Sequence, residues 1–340
     1  MKRAVVIGAS GQIGRPTVTA LARDGWQVTA ASRGGGRDAA WDEGVRAVRL
    51  DRADDAALAA VVGDGCELLV DIVAYDAAHA RQLTSLAGRI GSAVVVSSVS
   101  VYDDGAGRNF DTLHEPGGFP AYPVPVPETQ PTVTPGESSY STRKVALEHE
   151  LLAAAQALPV TVLRPAAVHG PRSPLPRELY FVKRNLDGRR RRVLSYRGVS
   201  RYHPSGTRNI AELVRLAAAR PGTRVLNACD GEAPTVAEIG AAVDAAMGVE
   251  TRTTLVDGLP EGCVGQTPWS IPGRVVFDMS AAARELGYRP VVSYADSLPE
   301  TVGWLTGVLA GRDWRECFPL LARAYPRLFD YAAEDAWFAA

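Results

Sequence analysis

Short apolar, β-branched runs recur along the chain at residues 4–8, 26–32, 45–51, 67–75, 92–98, 160–166 and 224–229, with helical spacing between them. Runs of this kind suit strands buried on both faces, and their alternation with helical segments of about 10–15 residues predicts βαβ units. The expected fold class is α/β, a doubly wound parallel sheet of about seven strands. The first helix should turn Ile13, Thr17, Ala20 and Leu21 inward, at i, i+4, i+7 and i+8.

Two regions break this rhythm. Residues 103–137 hold twelve Pro or Gly among 35 and keep no period, so they predict a long functional loop, an active-site rim or lid. Residues 171–203 and 230–340 return to helical patterns, as at 176–186 and 234–247, without strand alternation. The expected organisation is a dinucleotide-binding domain over 1–170, rejoined by 204–229. A smaller, mainly C-terminal substrate-binding domain takes 171–203 and 230–340.

Composition changes this picture little. With 340 residues, 46% apolar, 22% charged and a formal net charge of -1, nothing points to nucleic acid or a membrane. The chain enters a strand-like run within three residues, and no stretch approaches a spanning helix. The four cysteines, Cys66, Cys229, Cys263 and Cys317, form no CxxC pair or metal spacing, so reduced thiols in a cytoplasm are expected, and no metal. Only three of 37 basic residues are lysines, Lys2, Lys144 and Lys183, which draws attention to each.

Candidate chemistry begins at GASGQIG, Gly8 to Gly14, directly after the first apolar run. Glycines between a strand and a helix let backbone approach a pyrophosphate, whose charge meets the helix N-terminus. The spacing, Gly8-x-x-Gly11-x-x-Gly14, departs from the commonest G-x-G-x-x-G pattern, and a plain structural turn is the alternative. Ser10, Gln12 and Ile13 complete the candidate cradle.

The second run ends at Ser32 and Arg33, where an NAD-binding protein usually carries a carboxylate on the ribose 2′-OH. Arg33, with Arg15 or Arg37 as helpers, points to the 2′-phosphate of NADP, NAD being the alternative. Asp51, which ends the third run, and Arg52 after it are candidates for the adenine end; a turn Asp is the competing reading.

YSTRK places Tyr140 and Lys144 four apart, on one helical face. An ammonium there favours the ionised phenol, and lowering a phenol's pKa by about 3 units needs only about 4 kcal/mol of differential interaction. Tyr140 could then exchange a proton with a carbonyl or carbinol oxygen near neutral pH. Ser98, ending the fifth run, could hydrogen-bond the same oxygen; a strand-end cap is the alternative.

In their order, GASGQIG, SSVSVY (97–102), YSTRK (140–144) and LRPAAVHGP (163–171) make the chain resemble the extended short-chain dehydrogenase/reductase family, also called the NAD-dependent epimerase/dehydratase family. The resemblance spans about 1–230. It implies a Rossmann-like sheet, a bound NAD(P), Tyr140 as proton donor or acceptor, Lys144 also on the nicotinamide ribose, and Ser98 on the substrate oxygen. Ala74 and Pro165 would line the nicotinamide end. Tyr75, Ser100, Tyr180, Lys183, Arg201 and His203 fall where the family often contacts substrate. A small-molecule substrate, a sugar nucleotide or polar natural product, is implied, and a homodimer is compatible with the resemblance.

Departures refine the expectation. The family's sugar dehydratases carry an Asp-Glu pair where this chain has Val99 and Ser100, so elimination of water lacks its acid and base. His169 replaces a usual Tyr and reads as a packing residue. Arg189 to Arg192 could attract a substrate diphosphate or form a solvated loop. A reductase is the leading reading and an epimerase the alternative. A noncatalytic cofactor sensor or RNA-binding relative is the rival from another class.

Overall fold

The computed structural model describes residues 2–113 and 115–340; Met1 and His114, the latter inside the 103–137 stretch, lie outside the described residues. The chain runs through β1 (Arg3–Ile7), α1 (Gly14–Arg23), β2 (Gln27–Ser32), β3 (Arg46–Arg49), α2 (Asp55–Val62), β4 (Leu68–Asp71), α3 (Ala77–Ser85), β5 (Ala93–Val96), α4 (Tyr140–Ala153) and β6 (Val160–Arg164). It continues through β7 (Ala167–His169), α5 (Leu179–Leu186), β8 (Arg191–Leu194), β9 (Arg201–Tyr202), β10 (Pro204–Gly206), α6 (Thr207–Ala219) and β11 (Arg224–Asn227). Then come α7 (Val236–Met247), β12 (Arg252–Leu255), β13 (Arg274–Val275), α8 (Ser280–Leu286), α9 (Tyr294–Leu309), α10 (Trp314–Cys317), α11 (Pro319–Ala324) and α12 (Tyr331–Ala339).

Two compact units divide these elements. The first takes the chain up to Ala166, Thr207–Cys229 and Phe277–Val291; the second takes Ala167–Gly206, Asp230–Val276 and Val292–Ala340. Among the described residues the first unit holds a seven-stranded parallel sheet in the order β3-β2-β1-β4-β5-β6-β11. Each of the seven apolar runs supplies one strand. Ile7, at the end of β1, pairs with Ala31 on one side and Asp71 on the other, so the strand order reverses beside β1. In open α/β sheets ligands bind outside the strand ends at such a reversal.

Every residue of β4, β5 and β6 is buried, so both faces of these strands are covered, which explains their unbroken apolar runs; on one face Val5, Ile7, Leu69, Val95, Val160 and Val162 share a core with Leu58, Leu83, Leu147 and Leu151 from the helices. Helix α1 buries Gly14, Thr17, Val18 and Leu21. That stripe is rotated from the expected one, because Ile13 is the cap residue and Ala20 is only half-buried.

The 103–137 stretch is irregular, yet tied down within the same unit. Tyr102 bridges Thr132, Asp103 bridges Asn109, and Val126 bridges Phe277. The Tyr122 hydroxyl donates to the Tyr102 carbonyl at 2.7 Å, and the Gln130 amide to the Asp103 carbonyl at 2.6 Å. Beneath it the Tyr102 hydroxyl donates to Asn227 Oδ1 at 2.6 Å, and its ring stacks on Phe277 at 5.8 Å.

The second unit pairs β7 with β10, β8 with β12 and β9 with β13, all parallel. Phe181, Trp269, Tyr294, Leu298 and Leu305 are central to its core. Here the arginine run divides between committed and exposed residues. Arg192 is buried against Asp244 (Nη2 to Oδ2 2.6 Å), Arg189 pairs with Glu334 (3.1 Å) and Asp335, and Arg191 lies 3.8 Å over the Phe338 ring. Carboxylates thus take up Arg189 and Arg192, whereas Arg190, bonded to the Asn185 carbonyl at 3.1 Å, and Arg191 stay exposed. Among the described residues no helix is long and apolar enough to cross a membrane.

Candidate active site

The β1–α1 turn is built by backbone. The amides of Gly8 and Ala9 both donate to the Ala31 carbonyl (3.0 and 3.1 Å), and Gly11 N donates to Gly8 O at 3.0 Å. Gly8 has φ +85°, and a Cβ there would lie 2.8 Å from Val73 Cγ1; a Cβ on Gly14 would lie 2.2 Å from Gly8 O. Only glycine allows this closeness. Helix α1 then starts without a capping side chain and without an acidic residue in its first turn. Ser10 and Gly11 are exposed, Gln12 and Ile13 half-buried. Uncapped amides and the positive end of the helix suit an anion, so the turn fits a dinucleotide pyrophosphate.

At the ribose end the structure sorts the candidates. Ser32 is buried, its oxygen accepting from Gly35 N at 3.2 Å, and Arg33 is exposed with no hydrogen-bond or ion-pair partner among the described residues. Arg37 is not an available helper: its guanidinium is committed to the carbonyls of Val45 (2.6 Å), Trp41 (2.7 Å) and Asp42 (2.6 Å). Arg15 bonds the Ser10 carbonyl at 2.9 Å and pairs with Asp38. Asp51 is exposed and caps the Ala53 amide at 3.1 Å. Arg52 is corrected outright: it is buried, bonding Asp71 Oδ2 at 2.6 Å, the His79 carbonyl at 3.0 Å and Gln82, and faces inward instead of toward a cofactor. A basic residue beside a buried carboxylate is drawn to it, because leaving that charge unpaired is costly.

Tyr140 and Lys144 come together with Tyr75. Tyr140 is the first residue of α4, whose Ser139 cap and Thr142 bond each other reciprocally. Lys144, one turn on, is buried, and its ammonium donates to the carbonyls of Ala74 (2.6 Å) and Val96 (2.9 Å). Nζ also lies 5.4 Å from the Tyr75 ring centre and 5.7 Å from that of Tyr140. The two exposed rings meet edge to face at 5.4 Å. Val96 ends β5 two residues before Ser98, so the strand that presents Ser98 also anchors Lys144. Ser98 Oγ accepts from Ser100 N at 3.1 Å, whereas the Ser100 hydroxyl is buried without a partner among the described residues. Pro165 packs behind, its carbonyl accepting from Val99 N at 3.0 Å.

Electrostatics favour a poised Lys144. Burial pulls its pKa from the ordinary 10.5 down to about 8, and Asp71, Glu148 and Asp76 oppose that pull. Two of these carboxylates are themselves held: Asp71 by Arg52, and Glu148 by Arg164, whose Nε reaches Glu148 Oε1 at 3.0 Å and whose Nη2 reaches Oε2 at 2.5 Å. The sequence reading missed Glu148, although its spacing of four from Lys144 on α4 was the available signal. Asp111, whose carboxylate accepts from the Ser139 and Ser141 hydroxyls on either side of Tyr140 at 2.6 and 2.8 Å, carries no such signal.

Four expected substrate contacts lie in the second unit and are engaged there. Tyr180 is buried between Phe181 and Phe329, with its phenol pushed up by desolvation, so it is a core residue. Lys183 pairs with Asp187 at 2.5 Å on its own helix. His203 is buried with Nε2 3.0 Å from the Asp230 carbonyl. Arg201 bonds the Ala233 carbonyl and sits 3.7 Å from Glu238. His169 lies buried with Nε2 2.6 Å from Asp230 Oδ2.

Comparison with known proteins places this geometry. Residues 4–203 match the model of the NAD dependent epimerase/dehydratase family. No curated protein matches the sequence. Among solved structures, a UDP-N-acetylglucosamine 4-epimerase from Methanobrevibacter ruminantium M1 is 19% identical with TM-score 0.69, covering 90% of this chain and 98% of its own. A UDP-galactose 4-epimerase is 20% identical with TM-score 0.64, covering 90% and 99%. A dTDP-glucose 4,6-dehydratase from Bacillus anthracis str. Ames, solved with NAD, is 17% identical with TM-score 0.66, covering 94% and 100%. At these identities the likeness establishes the fold, and the family match, over more than half of the residues, establishes descent. The chain is a member of the NAD dependent epimerase/dehydratase family.

Proposed function

We propose that this protein is an NADP-preferring oxidoreductase that acts on a carbonyl or secondary alcohol of a sugar nucleotide or similar polar molecule. The observation that carries the proposal is Lys144, buried beneath the rings of Tyr75 and Tyr140 and held on the carbonyls of Ala74 and Val96. A noncatalytic relative has no use for a desolvated ammonium under a phenol. A nicotinamide dinucleotide, when bound, supplies or takes up the hydride. Gly8, Ser10, Gly11, Gln12, Ile13 and Gly14 hold its pyrophosphate, Arg33 its 2′-phosphate, Asp51 its adenine, and Ala74 and Pro165 line its nicotinamide end.

The chain's own groups perform the proton chemistry. Ser98 orients the substrate oxygen, and Tyr140 gives or takes the proton at that oxygen. Lys144 favours the phenolate and binds the nicotinamide ribose. The reductive direction is preferred because Arg33 selects the phosphorylated cofactor, whose cellular pool is kept reduced. Val99 and Ser100, standing where a dehydratase carries Asp and Glu, leave elimination without an acid and base. An epimerase is the second reading, favoured by the structural neighbours, which include the two sugar-nucleotide 4-epimerases described above.

The test supplies NADPH or NADH with UDP-glucose, UDP-galactose, UDP-N-acetylglucosamine and their 4-keto forms, following reduced-nicotinamide absorbance and products together. NADPH should bind more tightly than NADH, Arg33→Asp should reverse the order, and NADPH should be consumed in proportion to product. Product formed on tightly retained cofactor with no net absorbance change means an epimerase. Equal affinity for both cofactors refutes the role of Arg33. No turnover, with salt-dependent RNA affinity, refutes catalysis.

A further inference from the structure

We propose that Asp111, in the long Pro- and Gly-rich stretch, is a positioning residue that fixes Tyr140 over Lys144. This assignment rests on the reading of Tyr140 as the proton-exchanging group. Asp111 grips both neighbours of that tyrosine: Oδ2 accepts from the Ser139 hydroxyl at 2.6 Å and Oδ1 from the Ser141 hydroxyl at 2.8 Å. Ser139 is the helix cap, its oxygen also accepting from Thr142 N at 3.1 Å, and Ser141 is fully buried. One carboxylate thus holds the serine side chains on either side of a tyrosine that is itself 40% exposed.

Asp111 is in turn fixed to the strand end that presents Ser98. Its amide donates to Asn109 Oδ1 at 2.9 Å, and Asn109 is buried, with Nδ2 3.3 Å from Asp103 Oδ2. Asp103 follows Tyr102, at the end of the SSVSVY segment, and its amide donates to the Pro131 carbonyl at 2.8 Å. The stretch therefore acts as a brace running from the Ser98 segment to the first turn of α4. It sets the separation of two groups that must meet one substrate oxygen.

The sign of one measurement separates positioning from simple charge. Removing a nearby carboxylate by itself makes a phenol easier to ionise, so its titration falls. Releasing the phenol from a neighbouring ammonium makes ionisation harder, so its titration rises; such a neighbour is worth about 1–3 pH units. The tyrosinate absorbance of residue 140 is obtained without ligand, as the difference between each protein and its Tyr140→Phe counterpart. In Asp111→Ala it should move to higher pH by at least about half a unit. Asp111→Asn, which keeps one acceptor, should move less, and Ser141→Ala should move in the same direction. A downward or absent shift in variants whose thermal unfolding shows them folded overturns the proposal.

On whichever sugar nucleotide proves a substrate, Asp111→Ala should lower kcat roughly tenfold or more, because small misplacements of reacting groups are costly. KM should stay within about twofold, since ground-state binding is untouched. An unchanged kcat overturns the proposal as well. The titration needs no turnover, so an inactive wild type with the expected shift would sink the enzymatic reading and leave the brace standing.

Discussion

The buried ammonium of Lys144 gives a prediction whose size follows from the structure. Its pKa falls from 10.5 to about 8 on folding. At 1.36 kcal/mol per unit this is a cost of about 3 kcal/mol for keeping the charged form in the folded state. A depressed lysine pKa means that the folded state sheds its proton first. The cost is therefore borne in full below about pH 8 and relieved as pH climbs from about 8 to 10.5. Lys144→Met removes the charge but orphans the carbonyls of Ala74 and Val96, at about 1–3 kcal/mol each, so stability at neutral pH should change little. The contrast lies in the slope. From pH 7.5 to 9.5 the wild type should gain about 2 kcal/mol relative to Lys144→Met in urea unfolding, groups common to both cancelling in the difference. With only three lysines in the chain, carbon-labelled lysine also resolves the titration directly, the variant assigning the signal. A midpoint near 10.5, or parallel stability curves, would refute the argument that burial outweighs the neighbouring carboxylates.

Two further substitutions address the chemistry and its support. Tyr140→Phe should lower turnover by roughly 10²–10⁴-fold while leaving cofactor affinity within a few fold, as read by steady-state kinetics and cofactor titration; retained activity would move the proton donor elsewhere. Glu148→Gln should destabilise the fold by about 3–5 kcal/mol, because it leaves Arg164 buried without its counter-charge. Replacing both Glu148 and Arg164 by Met should recover most of that loss in chemical denaturation. An additive double mutant would show that the pair contributes no coupling.

The sequence by itself determined the sheet and the pairing of Tyr140 with Lys144 that the proposed chemistry uses. Local chemistry suffices for both: a strand buried on two faces must be apolar throughout, a turn as tight as Gly8 to Gly14 excludes a Cβ, and a spacing of four puts Tyr140 and Lys144 on one helical face. Tertiary structure decided which charges remain available. Arg33, Arg37 and Arg52 look alike in the chain, yet Arg37 is spent on three carbonyls and Arg52 on Asp71, and of the three only Arg33 is exposed without a partner among the described residues. Arg189, Arg192 and Lys183 met the same fate in the second unit. Nor could the sequence reveal that Asp111 grips the serines flanking Tyr140, or that 277–291 joins the first unit, since contacts between residues far apart in the chain leave no periodic trace. A buried charge takes whichever partner the fold brings within reach, and only the completed packing selects that partner.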